Sequence, residues 1–196
     1  MGREVFHLLN KDLFDPVGYL GNDRAESGQL PLPLLGGDEK LDELSAEGVD
    51  AACLAIGNPE LREVLFNKVK SRGLAMPVII HSSAVLLTAA DKFGEGTIVY
   101  PNSVVMNDCR IGRAVLVNSG SQVAHDVVIG DFVNLNPGVS LGGKVEIGDG
   151  AFIGLGASIR DSVRIGEKAV VGMGSVVTKD VQSDATVYGV PATKIN

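Results

Sequence analysis

One histidine of this chain stands where a side chain could carry out acid–base chemistry. His125 is followed directly by Asp126, in the stretch Val-Ala-His-Asp-Val. A neutral imidazole can take a proton from an attacking amine or hydroxyl, and a neighbouring carboxylate can fix the ring tautomer. Asp126 also precedes Lys144 by eighteen residues, which leaves a surface ion pair as its alternative role. The sequence therefore predicts His125 as a general base, with Asp126 as its orienting partner or a surface ion.

A six-residue repeat over residues 93–182 must position this histidine. An apolar residue opens every frame, and a small or β-branched residue follows four places later. The openers are Phe93, Val99, Val105, Ile111, Val117, Val123, Ile129, Leu135, Leu141, Ile147, Ile153, Ile159, Ile165, Val171 and Val177. Neither a helix nor a flat strand has this period, so the chain must turn in every frame. The fifteen frames, taken in threes, predict a parallel β-helix of about five triangular coils.

The third and fourth residues of each frame are predicted at an outer corner of this prism, and the opener and the small residue inside it. His125 is third in its frame, so it should lie outside the core. Residues eighteen apart stack at roughly 4.8 Å, the spacing of neighbouring strands. Gly143 should therefore lie beside His125, with its backbone N–H accessible to a developing oxyanion. The same stacking places Asp161 and Lys179 farther along this edge.

The repeat resembles that of the hexapeptide-repeat acyltransferases. This resemblance implies left-handed coils and a homotrimer, with acyl-CoA bound and active sites formed between adjacent subunits. Residues 118–133, Leu-Gly-Gly at 141–143 and Gly-Val-Pro-Ala at 189–192 resemble, more narrowly, the sialic-acid O-acetyltransferase and bacillosamine-pathway N-acetyltransferase family. In that family the histidine matching His125 is the general base, the acidic residue matching Asp126 supports it, and the glycine matching Gly143 lies beside the acetyl group.

The resemblance also implies acceptor and coenzyme contacts. Asn118 matches an acceptor-site residue, and Asn134 stands where the family usually carries a second histidine, although an amide can also donate and accept hydrogen bonds. The coenzyme phosphates are expected near Lys179 or Lys194. Its adenine is expected near the closing motif, at Gly189, Pro191 and Ala192.

The first eighty residues alternate between strand and helix patterns. Helices are predicted over residues 4–10, 38–46 and 59–72, and strands over 16–20, 51–56 and 77–80. This alternation predicts a small parallel sheet, a truncated Rossmann-like α/β domain. We accordingly predict an α/β domain over residues 1–80, a linker over 81–92, the β-helix over 93–182 and a C-terminal tail over 183–196.

The resemblance implies that this first domain holds a nucleotide-sugar. The chain matches the family only from the first helix onward, so the expected first strand and glycine-rich phosphate loop are not in this sequence. Asp23 and Asn58 follow predicted strands and are candidate acceptor contacts. Turn geometry and helix capping would explain both residues equally well.

Composition excludes several function classes. A net charge of −7, without a clustered basic stripe, argues against a nucleic-acid partner. With His7, His81 and His125 as its three histidines, the prism cannot build the three-histidine zinc site of β-helical carbonic anhydrases, so we expect no metal. Cys53 and Cys109 are predicted to point inward and indicate no disulfide. No signal peptide or membrane-spanning stretch is apparent, which favours a cytoplasmic protein without a membrane partner.

Together these features predict an acetyl-CoA-dependent acetyltransferase that acts on a sugar. The expected acceptor is the amine of a nucleotide-linked amino sugar, acetylated by direct transfer with His125 as the base. Two alternatives stay open from the sequence. One is O-acetylation of a sialic acid, and the other is a non-catalytic trimeric scaffold, because solenoids also serve as structural stacks.

Overall fold

A small α/β layer covers one side of a long triangular prism of short parallel strands in the computed structural model. The structure describes residues 1–10, 12–21 and 30–195. The helices are α1 (Gly2–Leu8), α2 (Leu41–Ala46) and α3 (Pro59–Lys70), with single 3₁₀ turns at Asp38–Lys40 and Ala90–Lys92. The strands are β1 (Tyr19–Leu20), β2 (Leu34–Gly36), β3 (Ile79–Ile80), β4 (Val85–Leu86), β5 (Ile98–Val99), β6 (Val104–Val105), β7 (Arg110–Ile111), β8 (Leu116–Val117), β9 (Gln122–Val123), β10 (Val128–Ile129), β11 (Asn134–Leu135), β12 (Ser140–Leu141), β13 (Glu146–Ile147), β14 (Phe152–Ile153), β15 (Ser158–Ile159), β16 (Arg164–Ile165), β17 (Val170–Val171), β18 (Val176–Val177), β19 (Thr186–Gly189) and β20 (Ala192–Lys194).

Three parallel sheets form the faces of the prism. Face one contains β3, β5, β8, β11, β14, β17 and β19, and β20 adds to its edge as an antiparallel strand. Face two contains β4, β6, β9, β12, β15 and β18, and face three contains β7, β10, β13 and β16. Paired residues are eighteen apart through the body of the prism, as for Ile129 with Ile111 and Ile147. All predicted inward residues are buried, which confirms the β-helix.

The backbone of each corner explains the repeat. Between Gly96 and Gly174 the fourth residue of every frame has a left-handed φ, including Asp126 at 61° and Lys144 at 59°. The second residue is often glycine because the next coil passes close by: a Cβ on Gly142 would lie 2.5 Å from the Asp161 nitrogen. Such positions admit no side chain without moving a backbone.

Three corners join these faces, and each is named for a residue that lies on it or packs against it. The histidine corner, between faces two and three, contains residues 124–127 and 142–145. The arginine corner, between faces three and one, contains residues 112–115 and 130–133, against which Arg62 packs. The asparagine corner, between faces one and two, contains residues 118–121 and 136–139.

The prism extends beyond the predicted boundaries at both ends. The predicted linker, residues 81–92, belongs to a first coil, because Val85 pairs with Val104 at a spacing of nineteen residues (104 − 85 = 19). The predicted tail contains β19, where Thr186 pairs with Val170 at a spacing of sixteen (186 − 170 = 16). Both ends depart from the eighteen-residue spacing, which is why the hexapeptide pattern did not include them.

The N-terminal layer is more irregular than its sequence pattern indicates. The three predicted helices are present, but β1 pairs in parallel with β2, a strand that was not predicted. The predicted strand over 51–56 forms only the bridge from Ala51 to Ala75. The predicted strand over 77–80 joins face one as β3, because Ile79 is buried under the N-terminal layer while Ile80 packs on the core of the prism.

Outward-facing side chains of face one form the floor of this layer. Ile98 and Leu116 point out of the prism, yet both are fully buried beneath Val5 and Leu8 of α1. At the arginine corner, Phe66 of α3 meets the ring of Phe132 edge to face, with their centroids 5.4 Å apart. The layer therefore docks through apolar contacts on face one and on one corner.

No helix in the described part of the chain is both long and apolar enough to span a membrane.

Candidate active site

The histidine corner presents an exposed imidazole that a carboxylate orients. Strands β9 and β10 flank the turn, and the left-handed conformation of Asp126 turns its side chain back toward His125. His125 Nδ1 lies 2.8 Å from Asp126 Oδ2, and the two side chains are 59% and 48% exposed. Because an ionised carboxylate can only accept, Nδ1 carries the proton of this bond, and in a neutral ring Nε2 is then the acceptor. The predicted pairing is therefore formed within one chain.

Gly143 lies directly under the imidazole ring. A Cβ at this position would be 2.8 Å from both Cε1 and Nε2 of His125, so any side chain here would displace the ring. Among the described residues, none accepts a hydrogen bond from the Gly143 amide. Together with Lys144, Asp161 and Ser162, His125 and Gly143 line an open cavity of about 330 Å³. The exposed imidazole and Gly143 thus line the same space.

Hydrogen bonds between coils hold this corner in register. The Asp126 amide donates to the Asn107 carbonyl at 3.1 Å, and the Lys144 amide donates to the His125 carbonyl at 2.9 Å. The Ser162 amide continues this series to the Gly143 carbonyl at 2.9 Å. The position of His125 is consequently fixed by the stacked backbone, although its side chain is exposed.

Asn118 lies on a different edge of the prism. It is at the asparagine corner, separated from His125 by strand β9 of face two. Its Nδ2 donates to the Leu135 carbonyl of the next coil at 2.9 Å, and Asn136 repeats this contact with Ile153 at 2.8 Å. In a single chain Asn118 and His125 therefore do not share a site.

The predicted coenzyme contacts also divide between two corners. Lys179 follows β18 and is exposed on the edge that carries His125. The closing motif forms a hairpin in which Gly189 pairs with Ala192, and the Gly189 amide donates to Ser175 Oγ beside the asparagine corner. Pro191 and Lys194 are exposed in this hairpin.

Asn134 is buried instead of being presented to a ligand. It follows Ile98 and Leu116 in the outward column of face one and is only 2% exposed. Its Oδ1 accepts from Arg62 at 2.6 Å, and its Nδ2 donates to the Gly57 carbonyl. A neutral imidazole also offers one donor and one acceptor, so asparagine can replace the expected histidine in such a network.

The acceptor candidates of the first domain are only partly described. Asn58 is exposed, and its side chain caps α3 by accepting from the Leu61 amide at 2.8 Å. Asp23 lies outside the described residues. The described part of the chain contains no cluster of three or more metal-ligating side chains.

Arg62 is the residue of this region that the sequence reading missed. It is fully buried and donates to the carbonyls of Ala114, Phe132 and Ile56 at 2.7–2.8 Å. Burial lowers its pKa to about 10, so the guanidinium remains charged at neutral pH. Its position could have been anticipated, because Arg62, Phe66 and Val69 lie on one face of a helix by their spacing.

Comparisons with known proteins agree with this fold. Residues 144–179 match a family model described as the hexapeptide repeat of succinyl-transferase. None of the curated proteins matches the chain in sequence. Among solved structures, PerB from Caulobacter crescentus, in complex with CoA and GDP-perosamine, is 34% identical with a TM-score of 0.83, and the alignment covers 88% of this chain and 83% of that one.

Two further structures come from other bacteria. WeeI from Acinetobacter baumannii is 32% identical with a TM-score of 0.77, over 98% of this chain and 91% of its own. The acetyltransferase domain of PglB from Neisseria gonorrhoeae, in complex with acetyl coenzyme A, is 29% identical with a TM-score of 0.79, over 90% and 82%. The repeat, the docked α/β layer and these similarities lead to one conclusion: the chain belongs to the hexapeptide-repeat sugar acetyltransferases, a family of left-handed β-helix enzymes.

Proposed function

We propose that this protein transfers the acetyl group of acetyl-CoA to the amine of a nucleotide-linked amino sugar. The observation that carries the proposal is the exposed His125–Asp126 pair, whose imidazole lies over Gly143. The similar Caulobacter enzyme is a perosamine N-acetyltransferase bound to CoA and GDP-perosamine, and one structure of it carries a substituted histidine. The same arrangement in this chain would serve the same class of reaction.

His125 acts as the general base in this proposal. Asp126 holds Nδ1, so Nε2 takes the proton of the amine as its nitrogen attacks the thioester carbonyl. A C–N bond forms, the C–S bond breaks, and the proton passes from Nε2 to the departing CoA thiolate. The Gly143 amide, which has no acceptor among the described residues, donates to the oxyanion of the tetrahedral intermediate.

Direct transfer fits the chain better than an acyl-cysteine intermediate. Burial raises the pKa of the Cys53 thiol to about 11 and also raises the pKa of Cys109. Neither thiol would ionise at neutral pH, and a thiolate is the nucleophile that such an intermediate requires. Both cysteines are free, which suits the cytoplasm that we propose as the location.

A homotrimer would assemble the divided site residues. His125 and Lys179 lie on one edge of the prism, whereas Asn118 and the Gly189–Ala192 hairpin lie at the next edge. If the histidine corner of one subunit faces the asparagine corner of its neighbour, Asn118 reaches the acceptor beside His125. Acetyl-CoA would then lie between two prisms, with its phosphates near Lys179 and Lys194 and its adenine near Gly189, Pro191 and Ala192.

The acceptor nucleotide would bind to the N-terminal layer. Asn58 is the N-cap residue of α3 and is exposed, so its side-chain nitrogen is available to the acceptor while its oxygen caps the Leu61 amide. Asp23 is retained as a proposed acceptor contact. Asn134 is buried and would not contact the acceptor directly. It would affect acceptor binding through Gly57, whose carbonyl accepts its hydrogen bond.

An acceptor panel tests the proposal. Purified protein with acetyl-CoA should acetylate at least one nucleotide-linked amino sugar, measured by thiol release and by the mass of the product. Free sialic acids form the second arm, and their acetylation alone would indicate an O-acetyltransferase. If acetyl-CoA is bound but none of these acceptors reacts, the proposed acceptor class is wrong. Absence of both binding and transfer would favour the scaffold.

A further inference from the structure

Residues 52–56 have the side-chain pattern of a buried strand but lack the hydrogen bonds of one. Successive side chains from 52 to 55 alternate between the apolar cluster around Phe66 and the cluster between α1 and face one. This alternation is typical of a strand that is covered on both faces. A ladder contact forms only at the start of the segment, where Ala51 bridges Ala75 in parallel.

The edge of this segment that faces away from Ala75 has unpaired main-chain groups. The Ala52 amide donates to the Ala75 carbonyl at 2.9 Å, and alternate residues of a strand turn their N–H and C=O groups to the same edge. The N–H and C=O groups of Cys53 and Ala55 therefore lie on the opposite edge. None of these four groups has a hydrogen-bond partner among the described residues. Main-chain groups inside a protein are nearly always paired, so this edge is suited to a further strand.

Strand β1 presents a second unpaired edge to the same cavity. The Tyr19 amide donates to the Pro33 carbonyl at 2.9 Å, on the side of β2. Leu20 consequently turns its N–H and C=O to the other edge, where β1 has no strand neighbour in the described part of the chain. Residues 18–21 and 50–56 line one cavity of about 1370 Å³. Two strand edges thus border the same space.

The size and the lining of this cavity favour a peptide over a small molecule. Small-molecule sites usually enclose about 300–1,000 Å³, which is less than the volume of this cavity. Apolar side chains line it from the helices, among them Leu9 after α1, Leu44 in α2 and Leu65 in α3. A strand between the two edges would therefore be covered on both faces, and apolar residues would suit every position of it.

The exposed part of the lining is acidic. Asp15, Glu47 and Asp50 line the cavity and are exposed, whereas Arg3 is the one lysine or arginine among its described lining residues. A partner segment with basic residues at its ends would complement this charge.

We propose that the cavity between β1 and residues 51–56 is a docking site for a partner protein, which adds an extended apolar segment of about five residues with basic flanks to the N-terminal sheet. An added strand offers N–H and C=O groups along both of its edges, which is the chemistry that the two walls require. The inference goes beyond the proposed acetyl transfer and involves neither His125 nor Asn58.

A designed peptide tests the proposal on the full chain. The probe is fluorescein-labelled Lys-Lys-Val-Ile-Val-Ile-Val-Lys-Lys, and its anisotropy is followed as protein is added. The matched control peptide has the same sequence with N-methyl groups on the two isoleucine amides, which removes donors without changing side chains. We expect its dissociation constant to be at least about tenfold higher, as for the loss of two main-chain hydrogen bonds. Replacing the lysines with glutamates should also weaken binding, and less so at high salt.

Two protein variants test the wall of the cavity. Ala55→Pro removes an N–H that has no partner among the described residues, and we expect it to raise the dissociation constant of the probe at least about tenfold. Cys53→Ala is the control, because it removes the thiol and keeps the main chain. It should bind the probe within about twofold of the parent protein, a change smaller than one hydrogen bond.

Amide hydrogen exchange shows where the probe binds. Fragments covering residues 50–58 and 17–21 should exchange more slowly with the probe present. Fragments covering residues 134–147, in the prism, should exchange at an unchanged rate.

Several results would overturn the inference. Absence of binding at about 1 mM probe would show that the cavity does not accept a strand. Equal affinity for the N-methylated peptide, or protection outside residues 17–21 and 50–58, would show that binding does not use these two edges. A folded Ala55→Pro protein with the parent's affinity would have the same meaning. If Ala55→Pro does not fold, the comparison of the two peptides on the parent protein still decides the question.

Discussion

The histidine corner and the arginine corner share one backbone design and have opposite surroundings. At each, the fourth residue of the frame is left-handed, as with Asp126 at 61° and Phe132 at 59°. Asp126 is exposed and turns toward His125, whereas Phe132 is buried under α3 with its carbonyl bound to Arg62. The repeat therefore sets the geometry of a corner, and the residues facing that corner decide whether it docks a layer or stays exposed.

The largest expected effect comes from removing the proposed base at the histidine corner. His125→Ala should lower the rate of acetyl transfer by about 10²–10⁴, the usual contribution of general-base catalysis. Its unfolding midpoint should match that of the parent, because the side chain is exposed and supports no core packing. Steady-state kinetics and a denaturant titration on the same preparation check both expectations.

His81→Ala is the matched control for this variant. His81 lies at a prism turn as well, and its Nδ1 contacts Ser83, whose Oγ is 2.8 Å away and whose amide donates at 3.2 Å. Its replacement should leave the rate unchanged. If the activity of His125→Ala stays within about tenfold of the parent's, the loss is smaller than that expected for removing a general base. The assignment of His125 as the base would then be wrong.

A variant at the arginine corner should lose folding stability instead of catalytic rate. Arg62→Met leaves the carbonyls of Ala114, Phe132 and Ile56 buried without their donor, which we expect to cost about 2–5 kcal/mol of folding free energy. The denaturant midpoint for unfolding of the N-terminal layer should fall. The fluorescence of tyrosines such as Tyr19 measures this midpoint. An unchanged midpoint would show that apolar packing alone secures this corner.

The contrast between the corners also explains which features the sequence could predict. An eighteen-residue period placed His125 over Gly143, because the stacking of coils depends only on counting residues. No period describes the N-terminal layer, where β2 was missed and the strand at 77–80 was assigned to the wrong sheet. Asn134 was interpreted as a ligand contact because it stands where the family usually carries a second histidine, and the sequence does not show that another layer covers it.

Gly143→Ala, at the histidine corner, should have an intermediate effect on the catalytic rate. The added methyl would lie 2.8 Å from His125 Nε2, so the ring must rotate away from its position beside the amide. We expect kcat to fall by about 10–100-fold, since both base and oxyanion donor lose alignment. Gly150→Ala is the control, because it places alanine at another corner where the nearest atom is Lys168 Cγ, 3.4 Å away. Its left-handed φ should reduce stability by about 1 kcal/mol without lowering the rate.

The smallest expected effect is on coenzyme binding, through charged residues toward the carboxyl end of the histidine corner. Lys179 lies on the edge of His125 and Lys194 in the hairpin by the next corner, so both contact one coenzyme only if two prisms contribute. Changing both to Glu should raise the dissociation constant for acetyl-CoA about tenfold at low salt, and less at high salt because exposed charges are screened. Calorimetry at two salt concentrations measures this change. Each single variant should show part of the effect, whereas unchanged binding in the double variant would remove support for a coenzyme that runs from His125 toward the carboxyl end.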